Sequence, residues 1–219
     1  MNALLGMGMT SERTRLRMIE RLRELGVRNE PVLAAMATVP RHIFVDEATA
    51  HRAYEDTALP LILGQTISQP FIVARMIELL LIGREKLGKT LEIGAGCGYQ
   101  TAVLAQLTRD VYGVERLGPL LARARENLKK IKMMQIRLKH GDGMLGLPEA
   151  SPFDSIIVAA GGAGVPTALR NQLALGGRLV IPVGGGEQQI LVTLDRTADG
   201  YVEQHHDMVR FVPLLPGVG

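Results

Sequence analysis

Between residues 10 and 25 the apolar side chains fall at Leu16, Ile19, Leu22 and Leu25, with arginine and glutamate between them. Steps of three and four residues place these four on one stripe of a helix, and Gly26 ends it. A second helix is predicted over 30–38, where Pro31 is tolerated in the first turn and Pro40 lies just beyond the end. A third opens at Pro70, with Ile72, Val73, Met76, Ile77, Leu80 and Leu81 as its packing face. Between the second and third helices, over 41–68, no period holds. A stretch that long without regular structure in a compact domain usually carries function.

After Gly88 the pattern changes. Short apolar runs at 90–95, 110–115, 135–139, 153–160 and 177–183 alternate with helical or turn-rich stretches. That alternation predicts a parallel sheet covered on both faces and joined by right-handed crossovers. Two further runs, 189–195 and 201–213, are joined through Ala198-Asp199-Gly200, a hairpin signal that adds an antiparallel edge. The expected architecture is one α/β domain over 1–219: a doubly wound, Rossmann-like, mainly parallel seven-stranded sheet with an antiparallel C-terminal edge and an N-terminal helical extension. Residues 10–81 would form the helical and active-site segment, 88–184 the ligand-binding core and 185–219 the closing strands. Residues 1–9 read as a frayed end, since they lack the basic lead-in and cleavage pattern of a targeting signal.

Composition narrows the partners. Of 219 residues 47% are hydrophobic and 21% charged, enough apolar material for a sizeable core. Aromatics are 4% with no Trp, which argues against stacked bases on an aromatic platform. The formal charge is only +3, and the basic cluster over 123–139 reads as a solvated helix face and strand rim, so no nucleic-acid partner is expected. Cys97 is the single cysteine, which excludes an internal disulfide and suits the cytoplasm. No apolar stretch is long enough for a membrane span. No His and Cys cluster has metal spacing, and His205-His206, being adjacent, would point to opposite faces of a strand.

The sharpest local signal is Leu91-Glu92-Ile93-Gly94-Ala95-Gly96-Cys97-Gly98, where the first strand of the parallel sheet gives way to a helix. Gly94, Gly96 and Gly98 let the backbone turn tightly and approach a ligand more closely than a Cβ permits, at the strand ends where open α/β sheets bind ligands. A dinucleotide fingerprint spaces its glycines G-x-G-x-x-G; here the spacing is G-x-G-x-G, with Gln100 and Thr101 following. A phosphate loop is excluded because no Lys-Ser or Lys-Thr pair follows. Glu92 disfavours a pyrophosphate and suits a ligand bearing positive charge, such as the amino group and sulfonium of S-adenosylmethionine; the alternative is a strand-end carboxylate capping backbone amides. Glu115 ends the second strand, roughly twenty residues past the glycines, where a carboxylate can accept from both hydroxyls of a ribose or serve as a plain surface charge. In His140-Gly141-Asp142-Gly143, Asp142 could meet the exocyclic amine of adenine beside the amide of Gly143, or form a simple Asp-Gly turn. Acid plus glycines, acid, then acid is a layout that resembles the cofactor pocket of class I methyltransferases.

Upstream of this pocket, Ala53-Tyr54-Glu55-Asp56-Thr57-Ala58-Leu59-Pro60 and Gly64-Gln65-Thr66-Ile67-Ser68-Gln69-Pro70 resemble the signature of the protein L-isoaspartate O-methyltransferases. The likeness extends through Val39-Pro40-Arg41-His42-Ile43-Phe44-Val45, Pro152-Phe153-Asp154, Gly176-Gly177-Arg178-Leu179-Val180-Ile181-Pro182-Val183-Gly184 and Val209-Arg210-Phe211-Val212-Pro213-Leu214. It implies a repair enzyme that methylates the free carboxylate of L-isoaspartyl, and also D-aspartyl, residues in damaged proteins and peptides, yielding S-adenosylhomocysteine. By the same likeness Ser68 is catalytic, and Gln65, Thr66, Ile67 and Ser68 join Glu92, Gly94, Gly96, Gly98, Glu115, Arg116, Asp142 and Gly143 around the cofactor. Ser68, Val212, Pro213 and Leu214 would touch the substrate, no metal is involved, and a monomer is expected. The acceptor carboxylate is already ionised at neutral pH, so a hydroxyl that orients it would suffice. Two alternatives stay open: Ser68 capping the helix that Pro70 opens, and 212–214 forming a hydrophobic edge strand. Ile62-Leu63 and Gly161-Gly162-Ala163-Gly164 depart from the family's usual residues, and both border the expected substrate entrance.

Other readings fare less well. Cys97 lacks the Pro-Cys setting of a methyltransferase nucleophile. An RNA or small-metabolite methyltransferase would want a basic aromatic surface or an Asn-Pro-Pro-Tyr-like string, and neither is present. A non-catalytic cofactor-binding module leaves the Ser68 string unexplained.

Overall fold

The computed structural model describes residues 8–185 and 188–219; most of the expected frayed end lies outside them. Helices α1 (Glu12–Glu24), α2 (Glu30–Thr38) and α3 (Pro70–Leu81) form the N-terminal extension. Ser11 caps α1 by accepting from the Thr14 amide, and Asn29 caps α2 by accepting from Val32, as short polar side chains do at helix starts. The 41–68 region is not wholly irregular. It contains short 3-10 turns and a small hairpin of β1 (Leu59–Pro60) and β2 (Thr66–Ile67), paired Leu59 to Ile67 and Pro60 to Thr66. Its five-residue connection, 61–65, contains a tight turn with Leu63 at φ 58°, ψ 31° and Gly64 at φ 68°, closed by the Gln65 amide on the Ile62 carbonyl at 3.2 Å. This is the type I′ geometry, normally signalled by Asn-Gly or Asp-Gly. Leu-Gly gives no such signal, which hid the hairpin.

The main sheet has seven strands in the order β5-β4-β3-β6-β7-β8-β9. β3 (Thr90–Ile93), β4 (Val111–Glu115), β5 (Arg137–His140), β6 (Phe153–Val158) and β7 (Leu173–Gly185) are parallel, and β8 (Gln188–Thr197) and β9 (Gly200–Val209) close the edge antiparallel. From β3 the chain steps outward to β4 and β5 through α4 (Tyr99–Leu107) and α5 (Gly118–Lys130), then returns to β6 on β3's other side. The order reverses there, opening the crevice that open α/β sheets use for ligands. Ile156 and Val158 pack into one core and Ile157 into the other, the alternation of a strand buried on both faces.

Several strand ends differ from the sequence reading, β3 and β6 each stopping two residues early, and three others have a clear physical reason. β5 starts two residues late, because an edge strand with mostly exposed side chains carries no hydrophobic run. β7 begins at Leu173 and passes through Gly176-Gly177 at an irregular register with Phe153 and Ser155, where glycines break the apolar pattern without breaking the pairing. β9 stops at Val209 instead of reaching 213. Gln189 explains this: its side chain accepts from the Phe211 amide at 2.8 Å and donates to the Phe211 carbonyl at 3.2 Å, and the chain then leaves for Gly161.

Candidate active site

A cleft of about 930 Å³, its mouth included, opens beyond the carboxyl ends of β3, β4 and β6. Its walls come from the loop after β3, from 115–117 after β4, from Gly143, from Ala159 and Ala160 after β6, and from two segments remote in sequence, 65–68 and 212–215.

The loop after β3 is shaped by backbone. Gly94, Gly96 and Gly98 all have positive φ (80°, 59° and 89°), a region costly for residues with a Cβ. Gly94 and Gly96 line the cleft, whereas Gly98 does not. A Cβ on Gly98 would make ordinary contact, 3.4 Å, with Ala124 and Leu128, so the left-handed backbone and not a lack of space calls for glycine there. Glu92 lines the cleft yet is fully buried, with its carboxylate accepting from Gln100 Nε2 at 3.0 Å and from the Thr101 hydroxyl. Burial pushes its pKa up to about 7 against the pull of those two hydrogen bonds, and the nearby Glu115 adds to the rise. It therefore caps side chains, not backbone amides. Glu115 accepts from the Gly96 amide with one oxygen and the Leu117 amide with the other, each at 2.9 Å. Each oxygen keeps a lone pair for a further donor, so Glu115 both fixes the loop and retains capacity for a diol.

Arg116 and Gly143 line the cleft; Asp142 does not. The Asp142 carboxylate accepts from the Met144 amide at 2.8 Å and the Gly217 amide at 2.7 Å, and Arg116 Nε donates to the Gly217 carbonyl at 3.3 Å. Asp142 thus anchors the chain's last residues beside the cleft. Gly143 is needed for space, since a Cβ there would lie 2.5 Å from Ile93. Cys97 lines the cleft, but burial pushes its thiol up to about 11, which leaves no thiolate to act as a nucleophile.

Gln65, Thr66, Ile67 and Ser68 form the opposite wall. Ser68 does not cap α3. The N-cap is Gln69 without a side-chain bond, and the capping is done from afar by Asp56, which accepts from the Phe71 amide at 2.8 Å and Gln69 Nε2 at 2.7 Å. Arg41 completes the hold. Fully buried, it donates from Nε to the Ala53 carbonyl and from Nη2 to the Ser68 carbonyl, both at 2.8 Å, while its guanidinium lies 4.8 Å from the centroid of the Tyr99 ring. Tyr99 is the first residue of α4, directly after the glycine loop. Arg41 therefore spans the two walls, and burial lowers its pKa against the raising influence of Tyr99 and Cys97. The backbone on both sides of Ser68 is pinned while its hydroxyl stays uncommitted.

Val212, Pro213 and Leu214 also line the cleft, as a segment beyond β9 held by an isolated parallel bridge between Pro213 and Gly161. The Gly161 amide donates to the Val212 carbonyl and the Leu214 amide to the Gly161 carbonyl, each at 2.8 Å, while Gly162 bonds Pro182 and accepts from Gly184. The Gly-rich stretch after β6 is thus stitched in place at Gly161 and Gly162, and Gly161 is required because a Cβ would strike the Gln189 side chain at 2.4 Å. Among the described residues no group of three His, Cys, Asp or Glu could hold a metal, and no helix is long and apolar enough to cross a membrane.

Sequence reasoning missed Arg41, Asp56, Tyr99 and Gln189 as builders of the site. Arg41 and Asp56 lie within the motifs that carry the family resemblance, which was the available signal; Tyr99 and Gln189 offered none.

Comparison with known proteins follows the same lines. The family model for protein-L-isoaspartate(D-aspartate) O-methyltransferase matches residues 13–218. A protein-L-isoaspartate O-methyltransferase of Dechloromonas aromatica (strain RCB) is 71% identical over 97% of this chain and 98% of its own, and one from Azoarcus sp. (strain BH72) is 60% identical over 94% of each. Among solved structures, a protein-L-isoaspartate O-methyltransferase superposes with TM-score 0.83 at 27% identity, covering 94% of this chain and 67% of that one. A Plasmodium falciparum structure so described, in complex with S-adenosyl-L-homocysteine, gives TM-score 0.80 at 25% identity over 92% and 98%. With the match running nearly end to end, the chain belongs to the protein-L-isoaspartate(D-aspartate) O-methyltransferase family.

Proposed function

We propose that this chain transfers a methyl group from S-adenosylmethionine to the free carboxylate of L-isoaspartyl residues in damaged polypeptides, and of D-aspartyl residues as well, with Ser68 orienting the acceptor. The observation that carries this reading is the uncommitted Ser68 hydroxyl on a pinned backbone, in the same cleft as the glycine loop and Glu115. When bound, the cofactor supplies a methyl group on a positively charged sulfur, which an ionised carboxylate can accept without giving up a proton. The residues are left with positioning and exclusion of water. Glu115 would take the ribose hydroxyls on its free lone pairs. Gly94 and Gly96 would admit the nucleoside against bare backbone, and buried Glu92 would face the positive end. Ser68 would donate to one carboxylate oxygen and leave the other aimed at the methyl group, with Val212, Pro213 and Leu214 along the peptide. Every residue invoked comes from one chain, and a reducing cytoplasm suits its lone, buried thiol.

The test uses an isoaspartyl peptide and its ordinary aspartyl twin with radiolabelled cofactor. Labelling of the first alone is expected, and Ser68→Ala should lower kcat about tenfold, the worth of one hydrogen bond to a charged group, with cofactor affinity little changed. Equal labelling of both peptides would refute the specificity; a Ser68→Ala effect confined to cofactor affinity would refute the role.

Glu92 adds a pH signature. Its pKa of about 7 belongs to the unliganded cleft. A positively charged ligand favours the carboxylate, so binding lowers that pKa and releases a proton. Affinity should rise between pH 6 and 7, by up to about tenfold per unit, and level off above. Calorimetry in buffers of different ionisation enthalpy checks this, and Glu92→Gln should flatten the profile.

A further inference from the structure

The tip of the β1–β2 hairpin holds a residue that suits neither its backbone nor its surroundings. Leu63 has φ 58°, ψ 31° at the first central position of a type I′ turn, where Asn, Asp and Gly are favoured and a branched aliphatic side chain is strained. It gains no burial in return: Leu63 is 56% exposed and its neighbour Ile62 37% exposed. Local strain combined with an exposed apolar side chain points to a demand outside the folded chain. The position says which demand. The segment returning from this tip, 65–68, contains β2, forms one wall of the cleft and ends on Ser68. The other wall is the apolar segment 212–215, in which Leu215 is 46% exposed. Any polypeptide that presents a carboxylate at Ser68 passes the wall made by 65–68, and Leu63 stands two residues before that wall begins.

We infer that Leu63, supported by Ile62, is a specificity-determining contact for an apolar side chain of the substrate polypeptide, at a distance from the reacting residue fixed by the hairpin. This rests on the reading that Ser68 marks the acceptor end. Leu63 lies five positions before Ser68, at most roughly 16 Å away along extended chain, and an extended peptide covers that span in about three to five residues. The contact therefore falls beyond the immediate neighbours of the isoaspartate. Backbone hydrogen bonding at the cleft would tolerate varied sequences, and one remote apolar contact would grade them.

The experiment is a positional scan. Isoaspartyl peptides in a Ser/Gly background carry one Leu placed between one and seven residues from the isoaspartate, on either side, and KM is measured for each with the intact protein. A lower KM, by about fivefold for a half-buried leucine pair, is expected when Leu stands three to five residues away on one side. Leu63→Gly and Leu63→Asn both suit a left-handed turn, so their melting temperatures should match or exceed that of the unaltered chain, and the positional dip should shrink to less than twofold in both. A flat scan with the unaltered protein, or a dip that persists in both variants, overturns the inference. Those results leave the assignment of Ser68 standing, because it is judged separately by the isoaspartyl and aspartyl pair; failure of that pair would appear as label on both twins, whatever the scan gave.

Discussion

Arg41→Met should lower kcat by about tenfold, the whole worth of the Ser68 contact that it positions, while the melting temperature moves by no more than about 4 °C. The asymmetry follows from what Arg41 does. A fully buried guanidinium is expensive to desolvate, no carboxylate pairs with it among the described residues, and its Nη1 has no hydrogen-bond partner. Replacing such a charge with an apolar side chain of similar length is often neutral or stabilising, although the carbonyls of Ala53 and Ser68 each lose a donor. Turnover has no such compensation, because the link from Ser68 to the ring of Tyr99 sets the distance between acceptor wall and glycine loop. A double-mutant cycle decides the matter. If Arg41 acts through Ser68, Arg41→Met in a Ser68→Ala background should cost less than about threefold further in kcat. Full additivity of the two effects would mean that Arg41 merely supports the fold.

Glu115→Ala should weaken S-adenosylhomocysteine binding by about a hundredfold, measured by calorimetry. One carboxylate here has two tasks: it holds the Gly96 and Leu117 amides, and its remaining lone pairs face the cleft. Its loss removes two charge-assisted hydrogen bonds to the ribose, about 1.5–3 kcal/mol each before relaxation, and frees the loop that shapes the site. Glu115→Gln separates the tasks. Its amide keeps one acceptor for Gly96 or Leu117 but cannot serve both, so affinity should fall between the two extremes. If Glu115→Ala binds the product as tightly as the unaltered chain, the ribose role is lost. Asp142→Ala supplies the contrast: its carboxylate is turned onto Met144 and Gly217, so its effect should come through a loosened 215–219 segment and stay within about tenfold.

The order of strands and helices after Gly88 was legible because a buried parallel strand must be apolar throughout and a covering helix must be apolar on one stripe; both periods are written into the chain. The glycine loop was legible for a related reason: tight backbone at a strand end leaves few residue choices. Boundaries were less so. β9 was overextended because apolar residues recur to its far end, at Met208, Val209, Phe211 and Val212, while a side chain, Gln189, takes over the bonding of Phe211. The 41–68 region defeated pattern reading, since its hairpin turns on a leucine in a glycine-like conformation and its order comes from Arg41 and Asp56, each bonding to residues far along the chain.

By itself, then, the sequence determined the α/β architecture, the position of the ligand loop and, through resemblance, the chemistry to expect at Ser68. Only the tertiary structure decided which acidic residues line the cleft: Glu115 and buried Glu92 do, while Asp142 lies beside it and holds the chain's end. It also decided that Ser68 is free because Asp56 caps α3 in its place. The physical reason is one of range. Secondary structure follows from side chains a few positions apart, whereas the commitment of a polar atom depends on whichever donor or acceptor the fold brings within 3 Å, from any distance along the chain.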